Sequence, residues 1–305
     1  MNQPLRLGTR GSPLALRQAD MVAASLIAAH GLAPDAIIIV PIRTSGDRIQ
    51  DRALADIGGK ALWTKELDRA LFDGAIDFAV HSMKDVETIR PEAIVIAAML
   101  KRADVRDRLI GAETVSALAE GARVGTSSPR RAAQLRRIRP DLHPILFRGN
   151  VATRLAKLAA GEADATLLAA AGLDRLGRPD IGHAVETGEM LPAPAQGAVG
   201  IETLGDREDV RLLLAAIDHR ETSMAVMAER AFLAALGADC RSPVAALAEH
   251  DGAGWRLRAE ILSGDGRLYE TDNTVIAGDH VAAAGALART LLDRADPALR
   301  ALFAG

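Results

Sequence analysis

Short aliphatic or β-branched runs alternate with longer stretches of helical apolar spacing through the first two thirds of the chain. Runs at 4–7, 36–42, 76–80, 93–98, 123–125, 145–147, 165–168 and 199–201 read as strands, and stretches near 13–30, 63–73, 129–139, 151–160 and 207–217 read as helices. This alternation predicts α/β layers around substantially parallel sheets. After an amphipathic stretch at 221–236 the pattern changes. Neighbouring strand candidates at 244–248, 255–262 and 267–276 are joined by Asp251-Gly252 and Gly264-Asp265-Gly266, which is hairpin chemistry, and a last helix follows. The tail is therefore expected to form a small α+β domain.

One partial internal echo stands out. Leu7-Gly8-Thr9-Arg10-Gly11-Ser12-Pro13 and Val124-Gly125-Thr126-Ser127-Ser128-Pro129 both run strand, Gly-Thr, Ser-Pro, helix, the second being one residue shorter. In each, Ser is placed to N-cap the helix and Pro to occupy its first position, where the missing N–H costs nothing. Each helix start then offers backbone N–H groups and the positive end of a dipole to an anion, or is simply a capped helix.

Composition narrows the class. A chain of 305 residues with 49% hydrophobic and 25% charged residues is globular and long enough for two or three domains. Apolar runs such as 93–100 fall well short of the roughly 18 residues of a membrane span. The first residues lack a secretory leader pattern, and the single cysteine, Cys240, argues against a disulfide framework, so a cytoplasmic location is expected. Lys plus Arg number 37 against 40 Asp plus Glu, a net charge of -3, and aromatics are only 3%. No whole-molecule field is expected to gather nucleic acid or anionic membrane, and so few aromatics leave little material for stacking platforms, so any anion site must be local.

The local candidates are arginine-rich. Between 121 and 140 stand Arg123, Arg130, Arg131, Arg136, Arg137 and Arg139, with no Asp or Glu. Arg130 and Arg131 fall in the first helical turn, where a cation opposes the macrodipole by roughly 0.3–1 kcal/mol, a conflict that a bound anion relieves. Arg136, Arg137 and Arg139 lie near the helix C-terminus and are expected on a solvated face. Arg148-Gly149-Asn150-Val151-Ala152-Thr153-Arg154 sets two more arginines around a strand-to-helix turn, with Asn150 as N-cap. Guanidinium forks in neighbouring loops suit a ligand with several carboxylates. His81-Ser82-Met83-Lys84-Asp85 ends a buried strand, where α/β sheets place ligands. Asp85 there is either a proton donor and cation stabiliser or a salt-bridged loop residue, and His81 is read as structural. The polar stretch 43–60 ends in Gly58-Gly59-Lys60 and is either a mobile cover or an exposed connection. Cys240 lies in a turn; Arg241 favours its thiolate and Asp239 opposes it.

Taken together, Thr9-Arg10-Gly11-Ser12-Pro13-Leu14-Ala15-Leu16, Gly58-Gly59-Lys60, His81-Ser82-Met83-Lys84-Asp85-Val86, Gly125-Thr126-Ser127-Ser128-Pro129-Arg130-Arg131, Arg148-Gly149-Asn150-Val151, Ala171-Gly172-Leu173, Gln196-Gly197-Ala198 and the late Cys240 resemble the porphobilinogen deaminase (hydroxymethylbilane synthase) family. The resemblance runs in order from about residue 5 to residue 243.

It implies a fold of two periplasmic-binding-protein-like α/β domains plus a smaller C-terminal α+β domain, with boundaries at 1–100 and 197–218, 101–196, and 219–305. It further implies an enzyme that joins four porphobilinogen molecules head to tail with loss of ammonia. Hydroxymethylbilane is released and passes on to uroporphyrinogen III synthase. Asp85 takes the place of the catalytic acid. Cys240 takes the place of the thioether attachment for a dipyrromethane cofactor. Arg10, Ser12, Lys60, Lys84, Thr126, Ser128, Arg130, Arg131, Arg148, Arg154 and Gln196 fall where the family binds acetate and propionate carboxylates. The family also implies a cytoplasmic monomer with no metal, no nucleic acid and no membrane partner. Asp56, Trp63 and Ala238-Asp239 depart from the Lys, Phe and Gly-Gly usual in the family.

Two other classes compete with this reading. An anion-binding module of solute-receptor fold needs the basic residues but neither Asp85 nor Cys240. An arginine-rich nucleic acid binder would lose affinity steeply with salt.

Overall fold

The computed structural model describes residues 3–44, 64–250, 252 and 254–303. Asp56, Lys60, Trp63, Asp251 and the candidate cover from residue 45 on lie outside the described residues. The first elements are β1 (Leu5–Arg10), α1 (Pro13–His30), β2 (Ile37–Ile42), α2 (Lys65–Phe72), β3 (Phe78–Ser82), a 3₁₀ turn at Met83–Asp85, and β4 (Ile94–Met99). The middle of the chain forms β5 (Asp107–Ile110), β6 (Arg123–Thr126), α3 (Pro129–Ile138), β7 (His143–Leu146), α4 (Val151–Ala159), β8 (Ala165–Ala169), α5 (Ala170–Arg175) and β9 (His183–Val185). Then come β10 (Val199–Leu204), α6 (Glu208–Ala215), α7 (Arg220–Ala235), β11 (Val244–His250), β12 (Trp255–Leu262), β13 (Tyr269–Ile276), α8 (His280–Arg294) and α9 (Pro297–Arg300).

These elements form three sheets, in strand orders β2-β1-β3-β10-β4, β7-β6-β8-β5-β9 and β11-β12-β13. The fold is α/β, with two sheet-and-helix domains and a smaller C-terminal domain on the three-stranded sheet. The described residues group into two compact units, 3–44 with 64–103 and 197–223, and 104–196 with 224–303, so the second and third sheets share a unit.

The two five-stranded sheets have one topology. In each, the first strand pairs in parallel with the next two, β1 with β2 and β3, β6 with β7 and β8. A fourth strand then runs antiparallel to both its neighbours, β10 in the first sheet and β5 in the second. The sheets are thus mixed, not substantially parallel as the alternation suggested, because one strand in each, β10 and β5, runs against both its neighbours. The echo in the sequence falls on equivalent corners, β1 into α1 and β6 into α3. Its glycines serve packing: a Cβ on Gly8 would collide with Ile76, and one on Gly125 with Phe147.

The first sheet is covered on both faces. Leu7, Val22, Leu26, Phe78 and Ile201 pack on the side of α1, and Leu67, Leu71, Ile76 and Ile94 on the side of α2. Leu109, Val124, Leu135 and Leu167 fill the second core, and Phe232, Leu257, Ile261 and Leu287 the third. Four elements were not legible from the pattern, one of them the short α9. β5 carries Asp107 and Arg108 in a charged stretch, β9 has three residues, and α5 follows β8 directly. No helix among the described residues is long and apolar enough to cross a membrane.

Candidate active site

In the first unit, Ser12 caps α1 as its sequence position predicts, its Oγ accepting from the Ala15 N–H at 3.3 Å, and Pro13 takes the first helical position. β3 is buried along its length and ends where Val86 N–H closes the 3₁₀ turn on the Met83 carbonyl at 3.2 Å. Met83 turns inward, which leaves Lys84 and Asp85 half-buried at the carboxyl end of the strand. A pocket lined by Arg10, Ser12, Gln18, His81, Ser82 and Asp85 opens there. Gln18 Nε2 donates to Ser82 Oγ at 2.8 Å, tying α1 to the strand end.

Behind this turn lies a buried ion cluster centred on Arg90. Its guanidinium donates to Glu202 Oε1 and Oε2, each at 2.9 Å, to Asp68 Oδ1 at 2.5 Å and to Glu87 Oε2 at 3.0 Å. Thr64 Oγ1 donates to Glu87 at 2.6 Å, and His81 Nε2 lies 3.2 Å from Glu202 Oε2. Burial pushes the Glu202 carboxyl up, but His81 and Arg90 outweigh it and hold the group down at about 2. The ionised cluster anchors the segment that follows Asp85 to α2 and β10. His81 reaches both the pocket and this cluster, which supports its structural reading.

In the second unit, Ser128 caps α3, accepting from the Arg131 N–H at 3.4 Å, and its own N–H donates to Thr126 Oγ1 at 3.1 Å. Arg130 and Arg131, 3% and 5% exposed, both turn onto Asp107. Asp107 accepts from Arg130 Nη2 at 2.8 Å, from Arg131 Nη2 at 2.7 Å and Nε at 3.2 Å, and from Gln196 Nε2 at 2.8 Å. The anion that answers the first-turn cations is therefore a carboxylate of the chain itself. Burial pushes Asp107 up, yet the two guanidinium groups overcome it and hold the carboxyl well below the usual range. The cluster of two arginines and one aspartate keeps a net charge of +1. At the next corner Asn150 caps α4, accepting from Thr153 N–H at 2.9 Å. Arg154 donates from Nε to the Gly149 carbonyl and from Nη2 to Ser127 Oγ, both at 3.0 Å, and Arg148, just before Gly149, is buried.

The expected solvated face of α3 is not one. Arg136 donates to the Gly264 carbonyl at 2.8 Å, Arg137 Nε lies 2.9 Å from Glu260 Oε1, and Arg139 binds Asp141 and the carbonyls of Val115, Ser116 and Leu118. These arginines fasten the helix to its surroundings. Cys240 is exposed in the turn between α7 and β11, and Arg241 beside it is paired with Asp239 at 2.6 Å. Asp107, Arg90, Glu202, Gln134 and Glu260 were not singled out from the sequence. For Asp107 the signal was indirect: six arginines in one acid-free stretch require carboxylates from elsewhere.

The fold and these clusters define an α/β protein with a carboxylate-bearing pocket and a capped helix start in its first unit, and a second capped helix start, several arginines and an exposed thiol in its second. Comparison with known proteins assigns it. Residues 5–212 match the family model described as porphobilinogen deaminase, dipyromethane cofactor binding domain, and residues 223–293 match the porphobilinogen deaminase C-terminal domain. A porphobilinogen deaminase of Sphingopyxis alaskensis is 61% identical, covering 99% of this chain and 98% of its own. One from Paracoccus denitrificans is 52% identical over 96% of this chain and 95% of its own. Among solved structures, a periplasmic solute-binding protein from Desulfovibrio salexigens aligns with a TM-score of 0.43 and 11% identity, covering 73% of this chain and 74% of its own. The chain belongs to the porphobilinogen deaminase family and is a transferase of that family.

Proposed function

We propose that this protein condenses four porphobilinogen molecules head to tail, with loss of ammonia, into hydroxymethylbilane for tetrapyrrole biosynthesis. The observation that carries the reading is the pocket that joins Asp85 to Arg10 and Ser12 in a chain matched over 5–212 to a dipyrromethane-binding domain.

The residues fit that cofactor. Its acetate and propionate groups call for guanidinium and hydroxyl donors, which the corners at Thr126–Ser128 and Arg148–Arg154 supply, and a thioether calls for an accessible thiol, which Cys240 is. When bound, the dipyrromethane supplies the terminal pyrrole carbon that is extended. Asp85 carries a proton to the departing nitrogen of porphobilinogen, and the carboxylate then faces the positive charge left on the substrate pyrrole. Arg10, Ser12 and Lys84 hold carboxylates in the first unit. Thr126, Ser128, Arg130, Arg131, Arg148, Arg154 and Gln196 do so in the second, and Lys60 completes the proposed set. Each guanidinium has five N–H donors, so Arg131, with three engaged inside the protein, has donors over for a ligand carboxylate.

The same reading takes 1–100 with 197–218, 101–196 and 219–305 as the three domains. The protein acts as a cytoplasmic monomer and hands its product to uroporphyrinogen III synthase. Denaturing intact-mass measurement tests the core of this. Purified protein is expected to be heavier than its sequence by two porphobilinogen-derived units, and Cys240→Ser to lack the increment. A fully active, unmodified parent would overturn the reading.

A further inference from the structure

The C-terminal sheet reaches the arginine pair through two buried side chains. Glu260, on β12, is 3% exposed, and Gln134, on α3, is fully buried. Glu260 Oε2 accepts from Gln134 Nε2 at 2.6 Å, while Oε1 lies 2.9 Å from Arg137 Nε. Gln134 Nε2 also donates to the Leu191 carbonyl at 3.1 Å. Both amide hydrogens are then committed, which leaves Gln134 Oε1 facing Arg130, one turn earlier on the same helix. It accepts from Arg130 Nη1 at 2.9 Å, and Arg130 Nη2 is held on Asp107 at 2.8 Å.

An amide has two ends of nearly equal shape and opposite hydrogen-bonding sense. Turned the other way, Gln134 would set its NH2 group against the Arg130 guanidinium, donor against donor. Two acceptors select the productive orientation, the Leu191 carbonyl and, with the shorter bond, a carboxylate from another sheet. The hairpin carrying Glu260 is seated on α3 by backbone contact as well. Gly266 has φ +72°, and a Cβ there would collide with the Ala133 carbonyl, so only glycine lets the turn approach the helix this closely. Arg137 further lies 5.1 Å over the Tyr269 ring of β13. Glu260 therefore addresses α3 from a fixed seat.

We propose that Glu260 is a positioning residue for ligand carboxylates at Arg130 and Arg131, acting through the orientation of the Gln134 amide. This rests on the functional reading above, in which the arginine pair meets carboxylates of cofactor and substrate. It assigns the C-terminal domain a part in anion recognition besides carrying Cys240.

The test is a double-mutant cycle on the full chain with two readouts, the fraction of protein carrying the dipyrromethane mass and the KM against kcat for porphobilinogen. Glu260→Leu is expected to raise KM about tenfold and lower cofactor loading with kcat within about twofold, and Glu260→Gln to shift KM less, since its carbonyl still accepts from Gln134. In a Gln134→Leu background, where no amide remains to orient, Glu260→Leu is expected to add nothing to KM or loading. Should Glu260→Leu fail to fold, the Gln variant and its Gln134→Leu double form carry the same comparison. Additive effects, or unchanged KM and loading in the Glu260 variants while Arg130→Leu alters both, overturn the proposal alone. Unchanged KM and loading in Arg130→Leu overturn the reading of the pair on which it rests.

Discussion

Replacing Asp107 with Asn exchanges one carboxylate oxygen for an NH2 group and removes the negative charge from a site that receives four N–H groups. Three of those come from Arg130 and Arg131 and one from Gln196, at 2.7–3.2 Å. Because Asp107 is buried, water cannot replace it, and two guanidinium groups are left side by side with a donor pointed at them. Breaking a buried ion pair from one side costs about 3–5 kcal/mol. At roughly 2–4 °C per kcal/mol for a unit of this size, the thermal midpoint should fall by about 6–20 °C.

The pH dependence gives an independent check. Burial alone would raise the Asp107 carboxyl, but the two arginines hold it well below its ordinary 3.8, so its contribution is fully present above that unfolded value and is lost as pH falls. The parent should lose about 1.4 kcal/mol per pH unit from this group below pH ~4, a loss absent from the Asn variant. Urea unfolding followed by circular dichroism at pH 7, 5, 4 and 3 therefore should show a large gap that narrows with acid. A variant within about 1 kcal/mol of the parent at pH 7, or a gap that stays constant to pH 3, would refute Asp107 as counter-ion of the pair.

Two further outcomes follow from the first unit. Asp85→Asn should still bind porphobilinogen while its single-turnover rate drops by ~10²–10⁴ or more, whereas Lys84→Gln mainly raises KM; rapid-mix kinetics that find only an affinity change in the Asn variant would make Asp85 a binding residue. Arg90→Leu strips the buried Glu202 of its bidentate partner and should cost about 3–5 kcal/mol in chemical denaturation, so a variant as stable as the parent would contradict the cluster's anchoring role.

Much of this molecule was legible in its order of residues. Strand and helix runs, the Ser-Pro helix starts, Asn150 as a cap and the turn at Gly264–Gly266 all depend on neighbours within a few positions, and the structure places them as read. The repeated corner at residues 7–13 and 124–129 proved to mark equivalent points of two sheets with one topology. Asp85, Arg10 and Ser12, chosen from separate strings, line one pocket because a strand end and a helix start meet beside a parallel pairing.

What the order of residues could not show is which charges meet. Asp107 sits between Arg106 and Arg108 in a charged stretch with no strand pattern, and only the antiparallel insertion of β5 beside β8 buries it under Arg130 and Arg131. Arg136, Arg137 and Arg139 read as a solvated face until the hairpin of the C-terminal sheet and the loop at 115–118 close over them. Glu202 and Arg90 are 112 positions apart and make a bidentate pair. Caps and periodicity belong to the local chain, so the sequence alone determined them. A buried charge is tolerable only when a partner reaches it, and here the partners come from distant parts of the chain, so the tertiary structure decided the ion clusters and with them the setting of Arg130 and Arg131.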